Sequence, residues 1–232
     1  MNLFTQVTLP PKIITLEPHS NIMFIGSCFA EHVGVQIQQR MGETNCDVNP
    51  FGVLYNPVSI AQGIDMLINF SIYRQRITEN IFLGQDNIHH SWLHTSHFSD
   101  TDKEKCLEKI LHRMEQAHNR LLSADVLCVT FGTTRYYELK EPPHTIVANC
   151  HKEPQKIFIE KEPTLEELLA LWQQTLDSLY RANPKLTVCF TVSPYRYRKY
   201  GFHESQIQKS KLLILADTLC KTYKQTAYFP AY

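Results

Sequence analysis

The chain has 232 residues, 43% of them hydrophobic, with Lys+Arg and Asp+Glu both at 23 and a formal charge of +0. That length and composition suffice for one sizeable core, whereas a balanced charge argues against nucleic acid as the main partner, because phosphate binding leaves a basic signature. No apolar run is long enough to span a bilayer, the opening "MNLFTQVTLPPKIITLEPHS" lacks a secretory pattern, and seven scattered cysteines without a CxxC read as reduced thiols of a cytoplasmic, membrane-free protein.

The first strand is "IMFI", residues 22–25, followed at once by Gly26, Ser27 and Cys28. In "FAEHVGVQIQQRM" the residues Phe29, Val33, Ile37 and Met41 share one helical face. "NCDVNPFGVLYNP", punctuated by Pro50, Gly52 and Pro57, reads as a long ordered loop, and "VSIAQGIDMLINF" as a second helix. A histidine-rich stretch, "NIHHSWLHTSHFSD", leads into "TDKEKCLEKILHRMEQAHNRLL", whose Leu107, Ile110 or Leu111, Met114, Ala117 and Leu121 form an amphipathic stripe. "DVLCVTFGTT" is an apolar strand ending at Gly132. "PTLEELLALWQQTLDSLYRANP" carries a capping box, Thr164 with Glu167. "LTVCFTVSP", "HESQIQKSKLLILADTLCKTY" and "TAYFPAY" read as strand, helix and short final strand. Strands apolar on both faces alternating with amphipathic helices indicate an α/β fold with a mainly parallel sheet. In such sheets ligands gather beyond the carboxyl ends of the strands, which sets Ser27, Gly132 and Ser193 at one edge.

A glycine and a serine between a strand and a helix admit two roles. The turn and the unpaired N–H groups of the helix start suit an acyl-transfer nucleophile, and a serine there is equally an ordinary N-cap. Cys28 beside it is read as a packed small side chain, although a thiol at a helix start can also be a nucleophile. Cys128 and Cys189, inside apolar runs, read as core residues. His89, His90, His94 and His97 have no carboxylate at metal-motif spacing, so a polar active-site rim is preferred to a metal site. Arg135, Tyr136 and Tyr137, with Tyr195 to Tyr200, fit either a substrate groove or a solvated loop.

The letters themselves go further. "GSCFA" at 26–30 resembles the signature of the GSCFA domain family, which is similar to SGNH or GDSL-type serine hydrolases. "DVNPFGVLYNP", "HSWLHTSHFS", "TFGTTRYYEL", "VANCHK", "FTVSPYRYRK" and "SKLLILAD" look like further blocks of that family in the same order. The resemblance implies a single three-layer α/β/α domain over residues 1–232, with Ser27 as nucleophile and its backbone N–H as one oxyanion donor. Gly52 matches the family's second donor. In "FGTT" Gly132 is present, and Thr133, Thr134 or Asn149 stands in for an expected asparagine. The Asp-x-x-His pair of SGNH enzymes would follow the last strand, where this chain ends in "YFPAY". The domain is therefore expected to lack a C-terminal segment, with His151 and His203 as stand-in acid or base. Arg135, Tyr136, His94 and His97 are the expected substrate contacts. The implied function is a serine esterase or deacylase acting on an O-acyl ester, an acylated carbohydrate being the preferred class, with no cofactor or metal. The alternative is a non-catalytic binding or accessory domain.

Overall fold

The computed structural model describes residues 14–232. Its centre is a five-stranded, all-parallel sheet of β1 (Ile22–Gly26), β2 (Cys46–Val48), β5 (Val126–Phe131), β9 (Thr187–Val192) and β10 (Thr226–Tyr228), in the order β10-β9-β5-β1-β2. Counting only these five in chain order, the arrangement is 2-1-3-4-5, the flavodoxin-like doubly wound pattern. The order reverses between β1 and β5, and the crevice beyond their carboxyl ends lies there.

Alternation along each strand divides the core. Met23, Ile25, Leu127, Val129, Phe131, Val188 and Phe190 point to one face. There they meet α2 (Pro57–Ile68), α4 (Lys103–Ser123), α5 (Leu165–Ala182) and α6 (Phe202–Thr222). Ile22, Phe24 and Val126 point to the other face and pack under α1 (Cys28–Met41). Helices thus cover both faces in a three-layer α/β/α sandwich, as the alternating apolar strands and amphipathic helices require. The stripe of α4 is buried at Ile110, Met114, Ala117 and Leu121, and α5 opens with the expected reciprocal Thr164–Glu167 cap.

Among the described residues only α1 packs on its face of the sheet. The part over β5 and β9 is an apolar groove of about 470 Å³ floored by Cys128, Thr130, Cys189 and Thr191. This corrects the reading of Cys128 and Cys189 as interior residues: both are half-buried, on adjacent strands in register, because no helix among the described residues covers them.

Several elements have weak sequence signals. β2 is three residues long and lies in the stretch expected to be loop. α3 (Phe70–Glu79) follows α2 after Asn69 alone, which closes one helix and opens the next without glycine or proline. β3 (Ile81–Leu83) and β4 (His89–Ser91) form an antiparallel hairpin. β6 (Tyr136–Leu139), β7 (Ile146–Val147) and β8 (Phe158–Lys161) form a small antiparallel sheet beyond the end of β5. None of the described helices is long and apolar enough to cross a membrane.

Candidate functional site at the carboxyl edge of the sheet

Gly26 has φ 149°, and a Cβ there would lie 2.4 Å from the Thr130 carbonyl oxygen of β5. Only glycine lets β1 press this closely on its neighbour and turn directly into α1. The turn is held by a backbone bond from Ser27 N–H to Thr130 O at 3.2 Å. Gly26 N–H donates to Asn49 Oδ1 at 2.9 Å, and Leu54 N–H donates to Gly26 O at 2.9 Å. The loop after β2 is therefore wrapped around the end of β1.

Ser27 is the N-cap of α1. Its Oγ accepts from Phe29 N–H at 3.3 Å, and the residue is 1% exposed. Gly132 lies against it: a Cβ on Gly132 would be 3.5 Å from Ser27 Cβ and 3.5 Å from the Tyr197 hydroxyl. Cys28, the next residue, is half-buried and lines the adjoining cleft. The expectation of a thiol packed away is corrected, because the first turn of α1 aims this side chain at the opening.

The cleft encloses about 500 Å³ and is lined by Cys28, Tyr55, Asn56, Thr133, Arg135, Tyr137, Tyr195, Tyr197, Lys199 and Tyr200, with Val147, Ala148 and Cys150 on one wall. Its rim is an ion and hydroxyl network. Glu160 accepts from the hydroxyls of Tyr137 and Tyr200, both at 2.5 Å, and from Lys199 Nζ at 2.9 Å. Burial pushes this carboxyl up, but the three donors prevail and hold it at about 2. Arg135 bridges Glu160, Glu162 and Glu204 at 3.4, 3.0 and 3.1 Å and lies 4.4 Å over the Tyr200 ring. Burial raises the hydroxyls of Tyr55 and Tyr197, keeping them protonated donors.

Lys209, on α6, lies behind this edge and was missed in the sequence, where it sits in an ordinary amphipathic stretch. It is 1% exposed, and its Nζ donates at 2.7 Å to both Gly132 O and Ser193 O, the chain ends of β5 and β9. Burial without a carboxylate partner draws its ammonium down to about 8.

The other expected site residues are distributed as follows. The N–H groups of Gly132 and Thr133 both donate to Tyr55 O, at 2.8 and 3.0 Å; that of Gly52 donates to Asn49 O, and that of Asn149 to Trp92 O. With the Ser27 amide on Thr130, these backbone donors are engaged within the fold in this conformation. Gly52 packs on Thr95. Asn149 Nδ2 is buried without a partner. Thr133 Oγ1 donates to Gln208 Oε1 at 2.9 Å, and Thr134 Oγ1 donates to Glu162. His151 bonds Ser96 Oγ and Ser91 O, and His203 is exposed at the start of α6, so neither is the partner of Ser27.

His94 is not a rim residue. It is 1% exposed, its Nδ1 bonds Ser91 Oγ at 2.8 Å, and it packs on Phe51; burial drives its imidazole down to about 3. Trp92 and Leu93 are drawn inward, and His94 goes with them. His97 is exposed beside Phe98, and Tyr136 donates to Glu138 Oε1 at 3.1 Å, away from the cleft lining. Among the described residues, no group of three or more His, Cys, Asp or Glu is placed to hold a metal ion.

A parallel sheet in this order, with a tyrosine- and arginine-lined cleft at the switch between β1 and β5, defines a doubly wound α/β protein with that cleft at the carboxyl end of its strands. Residues 21–232 match the GSCFA family, and the chain belongs to it. No curated protein and no solved structure matches the chain.

Proposed function

We propose that this GSCFA domain is a serine esterase or deacylase of SGNH type that removes an O-acyl group from a hydroxyl-rich substrate, a carbohydrate ester, through an acyl-Ser27 intermediate. The observation that carries the reading is the position of Ser27: a serine capping α1 at the switch point, packed on Gly132 and adjoining a cleft rich in tyrosine. Aromatic faces with hydroxyl and carboxylate groups around them suit a polar ring. For reaction, Oγ rotates off the Phe29 amide towards the cleft, and the freed Phe29 N–H at the start of α1 faces the developing oxyanion.

A second reading, a binding domain without turnover, is favoured by a different observation. The hydrogen-bond partner of Ser27 Oγ is a backbone amide, not a base, and a hydroxyl without a base is a poor nucleophile.

The test is hydrolysis of an O-acetylated oligosaccharide. Ser27→Ala is expected to lower kcat by at least about 100-fold, while Cys28→Ala retains most of it. The reverse result would make the thiol the nucleophile. Saturable binding of the oligosaccharide with no acetate released by the unaltered chain would establish the second reading.

A further inference from the structure

A second cavity, of about 500 Å³, lies on the other side of the 147–152 segment from the cleft: Val147, Ala148 and Cys150 face the cleft, whereas His151 and Lys152 face this cavity. Its lining holds a connected nucleophile, base and carboxylate. Ser99 Oγ is 2.7 Å from His90 Nδ1, and His90 Nε2 is 3.1 and 3.2 Å from the two carboxylate oxygens of Asp86.

The fold fixes each member. His90 stands on β4, 4% exposed, with its ring stacked 4.4 Å from His151 on one side and packed on Phe82 on the other. Asp86 is carried by the β3–β4 turn, where Gly84 N–H donates to Ile88 O and Ile88 N–H to Asp86 Oδ1. A Cβ on Gly84 would lie 2.8 Å from both Asp86 Oδ1 and His90 Cδ2, so glycine supplies the clearance for the carboxylate–imidazole pair. Ser99 closes the short 3-10 turn Ser96–Phe98, and the neighbouring Asp100 is bridged in both directions to His89 of β4. Serine and carboxylate are thus held on opposite nitrogens of one immobilised ring.

From this geometry we infer that Asp86, His90 and Ser99 form a second acyl-transfer centre, one that takes an ester small enough for a cavity of about 500 Å³. The inference does not rest on Ser27. With Nε2–H donated to Asp86, Nδ1 is free to accept the Ser99 proton as Oγ bonds to the acyl carbon. Collapse of the tetrahedral adduct breaks the acyl–oxygen bond, and the leaving alkoxide takes the proton from Nδ1. Water then attacks acyl-Ser99 with His90 again as base, releasing the carboxylic acid and restoring the hydroxyl. The ring nitrogens serve in the opposite order to the usual serine–histidine pair, which acid–base chemistry permits because either can carry the proton. The hydrogen bond from His90 also holds the Asp86 carboxyl below its ordinary range, keeping it an acceptor.

The test is site-resolved labelling of the whole chain with a small fluorophosphonate, the adduct located by peptide mass spectrometry. An adduct is expected on Ser99, whose hydroxyl lies 2.7 Å from His90 Nδ1. His90→Gln should slow it at least about 100-fold, and the exposed Asp86→Asn about 10-fold with an unchanged melting temperature. A merely structural Ser99–His90 tether would leave Ser99 unlabelled. No adduct on Ser99, or labelling that neither variant slows, overturns the inference. An adduct on Ser27 alone overturns it while supporting the esterase reading, and absence from both serines counts against both.

Discussion

His94 illustrates how far one residue can depart from its sequence neighbourhood. Amid "HHSWLHTSHF" it reads as polar, yet it is enclosed beside Phe51 and Phe98 with Nε2 unpartnered. Its folded pKa is drawn down to about 3, against about 6.5 in the unfolded chain. As pH falls below the unfolded value, the unfolded state takes up a proton that the folded state refuses, so stability is lost in the acid direction. From neutrality to pH 5 this one group costs about 2 kcal/mol. Urea unfolding of the natural chain and of His94→Gln should show that the substitution flattens this slope. Parallel slopes would mean that the imidazole is hydrated in the fold. The missed signal is physical: periodicity does not distinguish an inward from an outward histidine where three-residue strands end in 3-10 turns. The same limit hid the Asp86–His90–Ser99 set. Its members are close in sequence, but they come together only because the β3–β4 hairpin folds Asp86 back beside His90.

At the scale of elements, sequence and structure agree best where a segment is long and its cap is chemical. The apolar runs of β1, β5 and β9, the stripe of α4 and the Thr164–Glu167 box of α5 were all legible, because burial and capping act locally. The strands β6 to β8 were not, since each is only two to four residues long and their order comes from pairing with one another, from the apolar cluster of Trp92, Leu139, Val147 and Phe158, and from the Glu160 network. α1 combines both aspects, because Ser27 is its cap as well as the proposed nucleophile. Losing the bond to Phe29 N–H in Ser27→Ala should cost about 1 kcal/mol of stability. Ser27→Asp should recover that stability, because a carboxylate accepts from the same amide and suits the positive end of the helix; it should not recover esterase turnover. Melting temperatures and acetate release measured on the two variants separate the roles. If Asp restores neither, the serine is held by its tight packing against Gly132 rather than by its hydrogen bond.

Across the whole molecule, the carboxyl edge of the sheet depends on a cation at its back. Lys209 reaches from α6 to the carbonyls that end β5 and β9, fixing Gly132 against Ser27 and setting the exit of the Ser193–Tyr200 loop that walls the cleft. Among the described residues no carboxylate accompanies it; Nζ lies 5.6 Å from the Tyr232 ring centroid. The fold therefore disfavours the ammonium, whose pKa falls to about 8, against about 10.4 in the unfolded chain. The sign follows from proton counting. Below the folded value both states are protonated and the penalty is fully present; between the two values the folded state has released its proton while the unfolded state still holds it, so stability rises with pH. From pH 7 to 9.5 the gain attributable to Lys209 is about 2 kcal/mol. A neutral amine keeps two N–H donors for the two carbonyls, so the clamp survives deprotonation. Lys209→Met leaves both carbonyls without a partner, and a loss of about 1–3 kcal/mol is expected at pH 9.5, where the natural chain carries no buried charge. At pH 7 the same substitution should cost less, or even stabilise, because it also removes the ammonium from the interior. Unfolding free energies of the two chains at the two pH values decide the matter. A difference independent of pH would mean that Lys209 stays charged in the fold throughout, its two carbonyl bonds outweighing its burial.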